Sequence, residues 1–202
     1  MENFDFNKEY VLENDFVRLS PLRIEHAEIL LDIANEDNIW LYSFVKGDGI
    51  ENLTKYILST IKNRKSNKDY PFIVFDKVKN EFVGSTRFCE FIPVLDSIRI
   101  GYTWYGKKFR GTGLNKHCKY LMFQFAFEKV GIERIGLSSY IENKISIAAI
   151  ESVGCKKEGV FRGLLPAINS NGRTDAVMFS ILKSEWLNKV KTELNSKLKK
   201  HF

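Results

Sequence analysis

The chain has 202 residues, 44% apolar and 13% aromatic, enough for one sizeable core and too few for two comfortable ones. Its formal charge of +6 suits an anionic ligand, but the lysines thicken only at Lys189, Lys191, Lys197, Lys199 and Lys200, which reads as a solvated tail rather than the compact basic and aromatic stripe of a nucleic-acid binder. Three scattered cysteines, Cys89, Cys118 and Cys155, argue against a zinc site or disulfide framework, and no apolar run nears the roughly twenty residues of a membrane span, so a soluble, cytoplasmic protein without metal is expected.

Residues 1–15 form an N-terminal arm that carries acids and lacks the layout of a signal peptide. Residues 16–22 alternate apolar and polar as a short strand. A helix follows on the stripe Ile24, Ala27, Leu30, Leu31 and Ala34, with His26 near its exposed start; an aromatic segment around Trp40, Tyr42 and Phe44 leads to a second helix over 51–64. Residues 70–76, 82–91 and 97–105 read as an antiparallel meander. Alternation in the last strand puts Ile98, Ile100, Tyr102 and Trp104 on one face and Arg99, Gly101, Thr103 and Tyr105 on the other.

The segment Lys107, Lys108, Phe109, Arg110, Gly111, Thr112, Gly113, Leu114, Asn115 then opens the strongest helical pattern in the chain, over 114–130. Unpaired amides of a first helical turn, two glycines and neighbouring lysines make an anion cradle. Walker A is excluded because Leu114 and Asn115 follow Gly113, and a dinucleotide motif because Lys116 stands at the third glycine position. His117 lies on this helix and reads as a surface or wall residue. Residues 133–140 give a strand and 142–153 a helix, so 97–140 forms a crossover between parallel strands. Residues 155–161 and 174–182 pair late, and a helix from Ser184 carries Trp186, Val190 and Leu194 before the basic end.

This order, with the glycine loop at the exit of the fourth strand, resembles the GNAT fold of acetyl-CoA dependent N-acetyltransferases. The family pattern Q/R-x-x-G-x-G/A falls on Lys108 to Gly113, with Lys108 in the Gln/Arg place. Ile100-Gly101-Tyr102, the series Asn143, Ser146, Ala149, Gly154, the stretch Glu158 to Arg162, then Arg173-Thr174-Asp175 and Glu185-Trp186 resemble the RimJ/RimL branch, which acetylates ribosomal-protein N-termini among other amines. The fold implied is α/β (α+β): a mixed, mostly antiparallel central sheet of about seven strands with a splayed parallel pair and helices on both faces. Residues 16–188 would form the acetyltransferase domain and 189–202 a basic helix end or tail.

What the resemblance implies is direct attack of an amine on the acetyl-CoA thioester with both substrates bound. The diphosphate would sit on Arg110, Gly111, Thr112, Gly113 and Leu114, with Lys108 beside it, and the pantetheine arm near Trp104 and Tyr105. The tyrosine that many relatives place after the fifth strand is Ile150 here, so Ser146 becomes the candidate partner of the leaving thiolate, and Asn143 binds the cofactor arm or orients Ser146. Read without the family, Asn143 is equally a helix N-cap and Ser146 part of its first turn. Where many members carry Glu before Ile100, this chain has Arg99, so Glu90 on the neighbouring strand is the substitute base, with Asp96 behind it and Asp175 structural. Glu90 equally fits an ordinary exposed strand position. The acceptor would be a primary amine on a protein N-terminus, peptide, polyamine or small molecule, and a homodimer fits the family. The alternative is a catalytically silent acyl-CoA sensor or partner-binding domain.

Overall fold

Alternating apolar residues build the sheet strand by strand in the computed structural model, which describes residues 4–198. The strands are β1 (Leu12–Glu13), β2 (Val17–Pro21), β3 (Asp69–Asp76), β4 (Glu81–Ile92), β5 (Ser97–Tyr105), β6 (Arg134–Tyr140), β7 (Lys156–Pro166) and β8 (Arg173–Leu182). They form one sheet in the order β1-β2-β3-β4-β5-β6-β8-β7, antiparallel except for the β5–β6 pair. Eight strands replace the expected seven because β1, two residues pairing Leu12 with Leu19, is too short to leave a periodic signal.

Helices cover both faces. On one side α1 (His26–Ala34) and α2 (Gly49–Lys65) bury Leu30, Leu53, Tyr56 and Ile57 with Trp40, Ile73 and Trp104. On the other lie α3 (Leu114–Gln124, extended by a π-helical turn, Phe125–Val130), α4 (Lys144–Ser152) and a C-terminal helix, α5, built from Lys183–Glu185, Trp186–Val190 and Lys191–Leu198. There Phe88, Ile98, Ile100, Tyr105, Phe123 and Trp186 share one core. Each such fully buried side chain contributes about 1.5–3 kcal/mol. No helix among the described residues is long and apolar enough to cross a membrane.

Both ends of the described segment are bound into this core. Phe4, Phe6 and Tyr10 of the arm pack against it, and Arg64 donates from Nε to the Phe6 carbonyl (2.7 Å) and from Nη2 to that of Lys8 (2.9 Å). The supposed solvated tail is helical as far as Leu198, with Leu194 and Leu198 buried and Lys191 paired to Glu128 at 2.8 Å. Lys199 and Lys200 of that cluster lie outside the described residues.

Two irregularities shape the middle of the sheet. Across β4–β5, Arg87 pairs with Gly101 and Ser85 with Trp104, so Tyr102 and Thr103 together face Thr86. This is a bulge, and Tyr102 takes a left-handed conformation (φ 50°) to make it. One extra residue shifts the pleat by one. The uniform alternation expected for β5 is therefore wrong beyond Gly101: Trp104 packs under α1 and α2, while Ile98, Ile100 and Tyr105 pack under α3.

The second irregularity is the splay. β5 and β6 pair only at Ser97–Arg134, Ile98–Ile135 and Arg99–Gly136, whereas β6 stays paired with β8 as far as Tyr140–Ala176. From Ile100 to Tyr105 one edge of β5 is open. At about 3.3 Å per residue that edge runs about 17 Å.

Candidate active site

The loop after β5 is held at its start and left open at its end. A 3-10 turn, Lys107–Phe109, buries Phe109, and Glu36 Oε2 accepts from the Lys107 amide at 2.7 Å. Gly111 (φ 78°) and Gly113 (φ 91°) then take conformations that only glycine adopts readily. The Thr112 hydroxyl donates to the Phe109 carbonyl at 2.8 Å and fixes the turn. The amides of Gly111, Thr112 and Gly113 find no acceptor among the described residues, and a Cβ built on Gly111 would meet nothing within 4 Å. Three orphan donors in open space at the N-terminus of α3 fit a diphosphate. Arg110 anchors its Nε on the Tyr105 carbonyl (2.9 Å) and is otherwise exposed, whereas Lys108 is ion-paired with Glu81 of β4.

The open edge of β5 leads away from this loop. Gly106 donates its amide to Val83 at 3.0 Å, so strand alternation turns the N–H and C=O of Thr103 toward the open side. The side chain of Trp104 lies on the opposite face, its ring 5.1 Å from that of Trp40, and that of Tyr105 lies in the core beneath α3, its hydroxyl 3.4 Å from Asn115 Oδ1. Burial pushes the Tyr105 phenol well above its ordinary range. Across the gap, Asn143 caps α4: its Oδ1 accepts the Ser146 amide at 3.0 Å, and the Ser146 side chain is half-buried. Ile150, in the family's tyrosine place, is buried in the core.

A cavity of about 410 Å³ opens on the α1–α2 face of the same bulged strand, lined among others by Tyr56, Asp69, Arg87, Glu90, Phe91 and Tyr102. Arg87 donates from Nη1 to Asp69 Oδ2 at 2.8 Å, and Asn63 donates to the same oxygen at 2.8 Å. The guanidinium also lies 3.4 Å from the centre of the Tyr102 ring, which the bulge swings over it. Glu90 sits at the rim in a left-handed conformation (φ 49°), its carboxylate 3.6 Å from Arg99 Nε. Arg99 in turn reaches Ser138 of β6, tying the two parallel strands where they part. Asp175 accepts the Gly163 amide at 2.8 Å, the structural role expected of it.

A family model described as an acetyltransferase (GNAT) domain matches residues 17–156. The chain belongs to the GNAT acetyltransferase family. A Bacillus subtilis (strain 168) protein named "Probable N-acetyltransferase YjcK" is 23% identical over 158 residues, covering 75% of this chain and 87% of that protein. Among solved structures, a GCN5-related N-acetyltransferase from Brucella melitensis superposes with a TM-score of 0.85 at 23% identity, covering 98% of this chain and 90% of the other. Mycobacterium smegmatis RimJ, solved with CoA-disulfide, superposes with a TM-score of 0.77 at 20% identity over 94% and 93% of the two chains.

Two features of this GNAT domain escaped sequence reasoning. Asp69 was one, and the signal for it was Arg87, a charge in the middle of a strand between Val83 and Phe88 that must find a partner when buried. The other is Lys119 on α3, only 4% exposed, which donates from Nζ to the hydroxyls of Thr103 (3.0 Å) and Thr86 (3.3 Å). His117 is also buried rather than at the surface, with Nδ1 3.0 Å from Asn14 Nδ2.

Burial pulls the Lys119 ammonium down to about 8. Its unfolded value is near 10.4, so below about pH 8 both states are protonated and the folded acetyltransferase carries the whole desolvation penalty, up to about 3 kcal/mol. Lys119→Met is therefore expected to stabilise the fold at neutral pH. The advantage should shrink as pH rises from about 8 to about 10.5, since the unfolded lysine binds the extra proton there. Urea unfolding across that range measures it.

Proposed function

We propose that this acetyltransferase transfers an acetyl group from acetyl-CoA to a primary amine while both are bound, the amine belonging to a protein N-terminus, peptide, polyamine or small molecule. One observation carries the reading: three unsatisfied amides at Gly111–Gly113 lead into the open edge of β5, and the cavity bearing Asp69 and Glu90 opens on the other face of that strand. When bound, acetyl-CoA supplies an activated acyl carbon and a thiolate leaving group.

The chain's own residues do the rest. Gly111, Thr112, Gly113 and Leu114, with the exposed Arg110, hold the diphosphate. Trp104 and Tyr105 brace the strand along which the arm lies, while the Thr103 N–H faces the position of the acyl oxygen. Asn143 and Ser146 close the opposite wall. A free amino terminus has a pKa of about 7.7–8, so at neutral pH the acceptor must shed a proton. Glu90, at the cavity rim, takes it directly or through water. The catalytic unit is 16–188, braced by the arm and α5, and the cytoplasm and a homodimer suit the family. CoA-disulfide in the RimJ structure supports the coenzyme.

Glu90→Gln is expected to lower kcat/KM for the amine by about 10²–10⁴-fold. Acetyl-CoA affinity should not change, because Glu90 lies across the strand from the cradle. A panel of primary amines assayed by thiol release tests this. The second reading, a silent acyl-CoA binder, draws on Arg99, whose Nε lies 3.6 Å from Glu90 and competes for its charge. It predicts binding without thiol release for any amine, and an unaltered rate in Glu90→Gln would remove Glu90 from the mechanism.

A further inference from the structure

Lys119 is a buried cation without a carboxylate partner among the described residues. The groups around it are Thr86 of β4, Thr103 of β5, its neighbour Cys118, which in turn meets the Tyr105 phenol, and Cys155 just before β7. Burial pushes the thiols of Cys118 and Cys155 up to about 11 and about 12 and the phenol well above its ordinary range, so all three stay neutral near physiological pH. What lies within hydrogen-bonding reach of the ammonium is two hydroxyls, and those hydroxyls are 2.7 Å from each other.

Thr103 is the unusual member. Its side chain is exposed, it belongs to the stretch of β5 that has left β6, and it follows the bulge residue Tyr102 directly. A hydroxyl has two acceptor sites and one proton. Lys119 donates to both hydroxyls, and the bond between them can run either way; when Thr86 donates across it rather than to the more distant Met122 Sδ (3.9 Å), Thr103 Oγ1 accepts twice and its own proton is left for a ligand in the gap.

We propose that Thr103 is the proton donor to the departing sulfur of coenzyme A and that Lys119 is the positioning residue behind it, holding the hydroxyl and resupplying its proton. This rests on the acetyl-CoA reading above. In the step itself the amine nitrogen forms the C–N bond as the C–S bond breaks, and sulfur leaves with the electron pair. Sulfur takes the Thr103 proton, the Lys119 ammonium replaces it, and the neutral lysine regains a proton from solvent after release. The surplus proton of the acceptor nitrogen leaves on the other face, toward Glu90. A lysine that ionises near 8 is matched to this exchange, since it holds its proton at neutral pH and yields it readily. The arrangement supplies the proton that Ile150 cannot, in place of Ser146 across the gap.

The test compares coenzyme A with desulfo-coenzyme A, which lacks the thiol, by isothermal titration from about pH 6.5 to about pH 9.5. A cation behind the sulfur lowers the bound thiol below its ordinary value of about 8.5. In the wild type the preference for coenzyme A over the desulfo form should pass through a maximum between about pH 8 and about pH 8.5, where the Lys119 ammonium and the thiolate coexist, and fall on both sides. In Lys119→Met and Thr103→Val no maximum should appear, and Thr103→Ser should restore it. A merely structural lysine would not produce a thiol-specific pH profile, and unchanged desulfo-coenzyme A affinity in the variants verifies the fold. Equal profiles in wild type and Lys119→Met, with both ligands bound, would overturn this inference alone. Failure of the wild type to bind desulfo-coenzyme A would overturn the coenzyme reading and this one with it.

Discussion

Gly111→Glu is expected to lower acetyl-CoA affinity by more than about a hundredfold while leaving a folded protein. The site is open, with nothing within 4 Å of a Cβ at that position, so the new side chain displaces no packed neighbour. Its backbone is left-handed (φ 78°), which costs a non-glycine residue about 1–2 kcal/mol. That lowers the melting temperature by several degrees without unfolding the chain. Binding suffers more. A carboxylate would stand where a diphosphate is to be held and would satisfy the amides of Gly111 to Gly113 itself. Hydrogen bonds to charged groups are worth about 1.5–3 kcal/mol each, and two lost bonds already exceed a hundredfold. Isothermal titration reads the affinity and a thermal melt verifies the fold.

Asp69→Ala is the second large effect, and here the loss falls on stability. Arg87 is 5% exposed, and Asp69 is the carboxylate that pairs with it. Removing the acid leaves a buried guanidinium uncompensated, which costs about 3–5 kcal/mol. A double replacement, Arg87→Met with Asp69→Leu, should recover most of that stability, because a buried ion pair exchanged for apolar groups of similar volume is often neutral or better. Urea unfolding of the single and double variants gives the comparison. Recovery of stability without recovery of amine turnover would place the pair in the acceptor cavity's chemistry as well as in the core.

These expectations mark where the sequence was legible. The glycine loop could be located because a strand pattern stops at Tyr105 and a helical one starts at Leu114, and both boundaries hold. The parallel pair followed from chain order alone. The bulge at Tyr102 was not visible, since an extra residue leaves the composition of β5 unchanged and alters only its register, so Trp104 was assigned to the wrong face. Asn143 reads from sequence as a helix N-cap as well as a cofactor-arm residue, and the structure shows the cap, with the Ser146 amide donating to Asn143 Oδ1. Lys119 escaped because a lysine on an amphipathic helix reads as solvent-facing. Only the packed structure reveals that α3 presents it to two threonines on adjacent strands.

Direct transfer, as proposed, would pass the acetyl group from a coenzyme in the β5 gap to an amine in the Glu90 cavity. Thiol release from acetyl-CoA, followed with and without each member of an amine panel and with mass analysis of the amine, tests that most directly. The predicted result is release that requires an amine and yields its acetylated form, with no burst of thiol in its absence. A burst of about one thiol per enzyme without amine would contradict direct transfer, and release with no amine at all would contradict the acetyltransferase reading of this site.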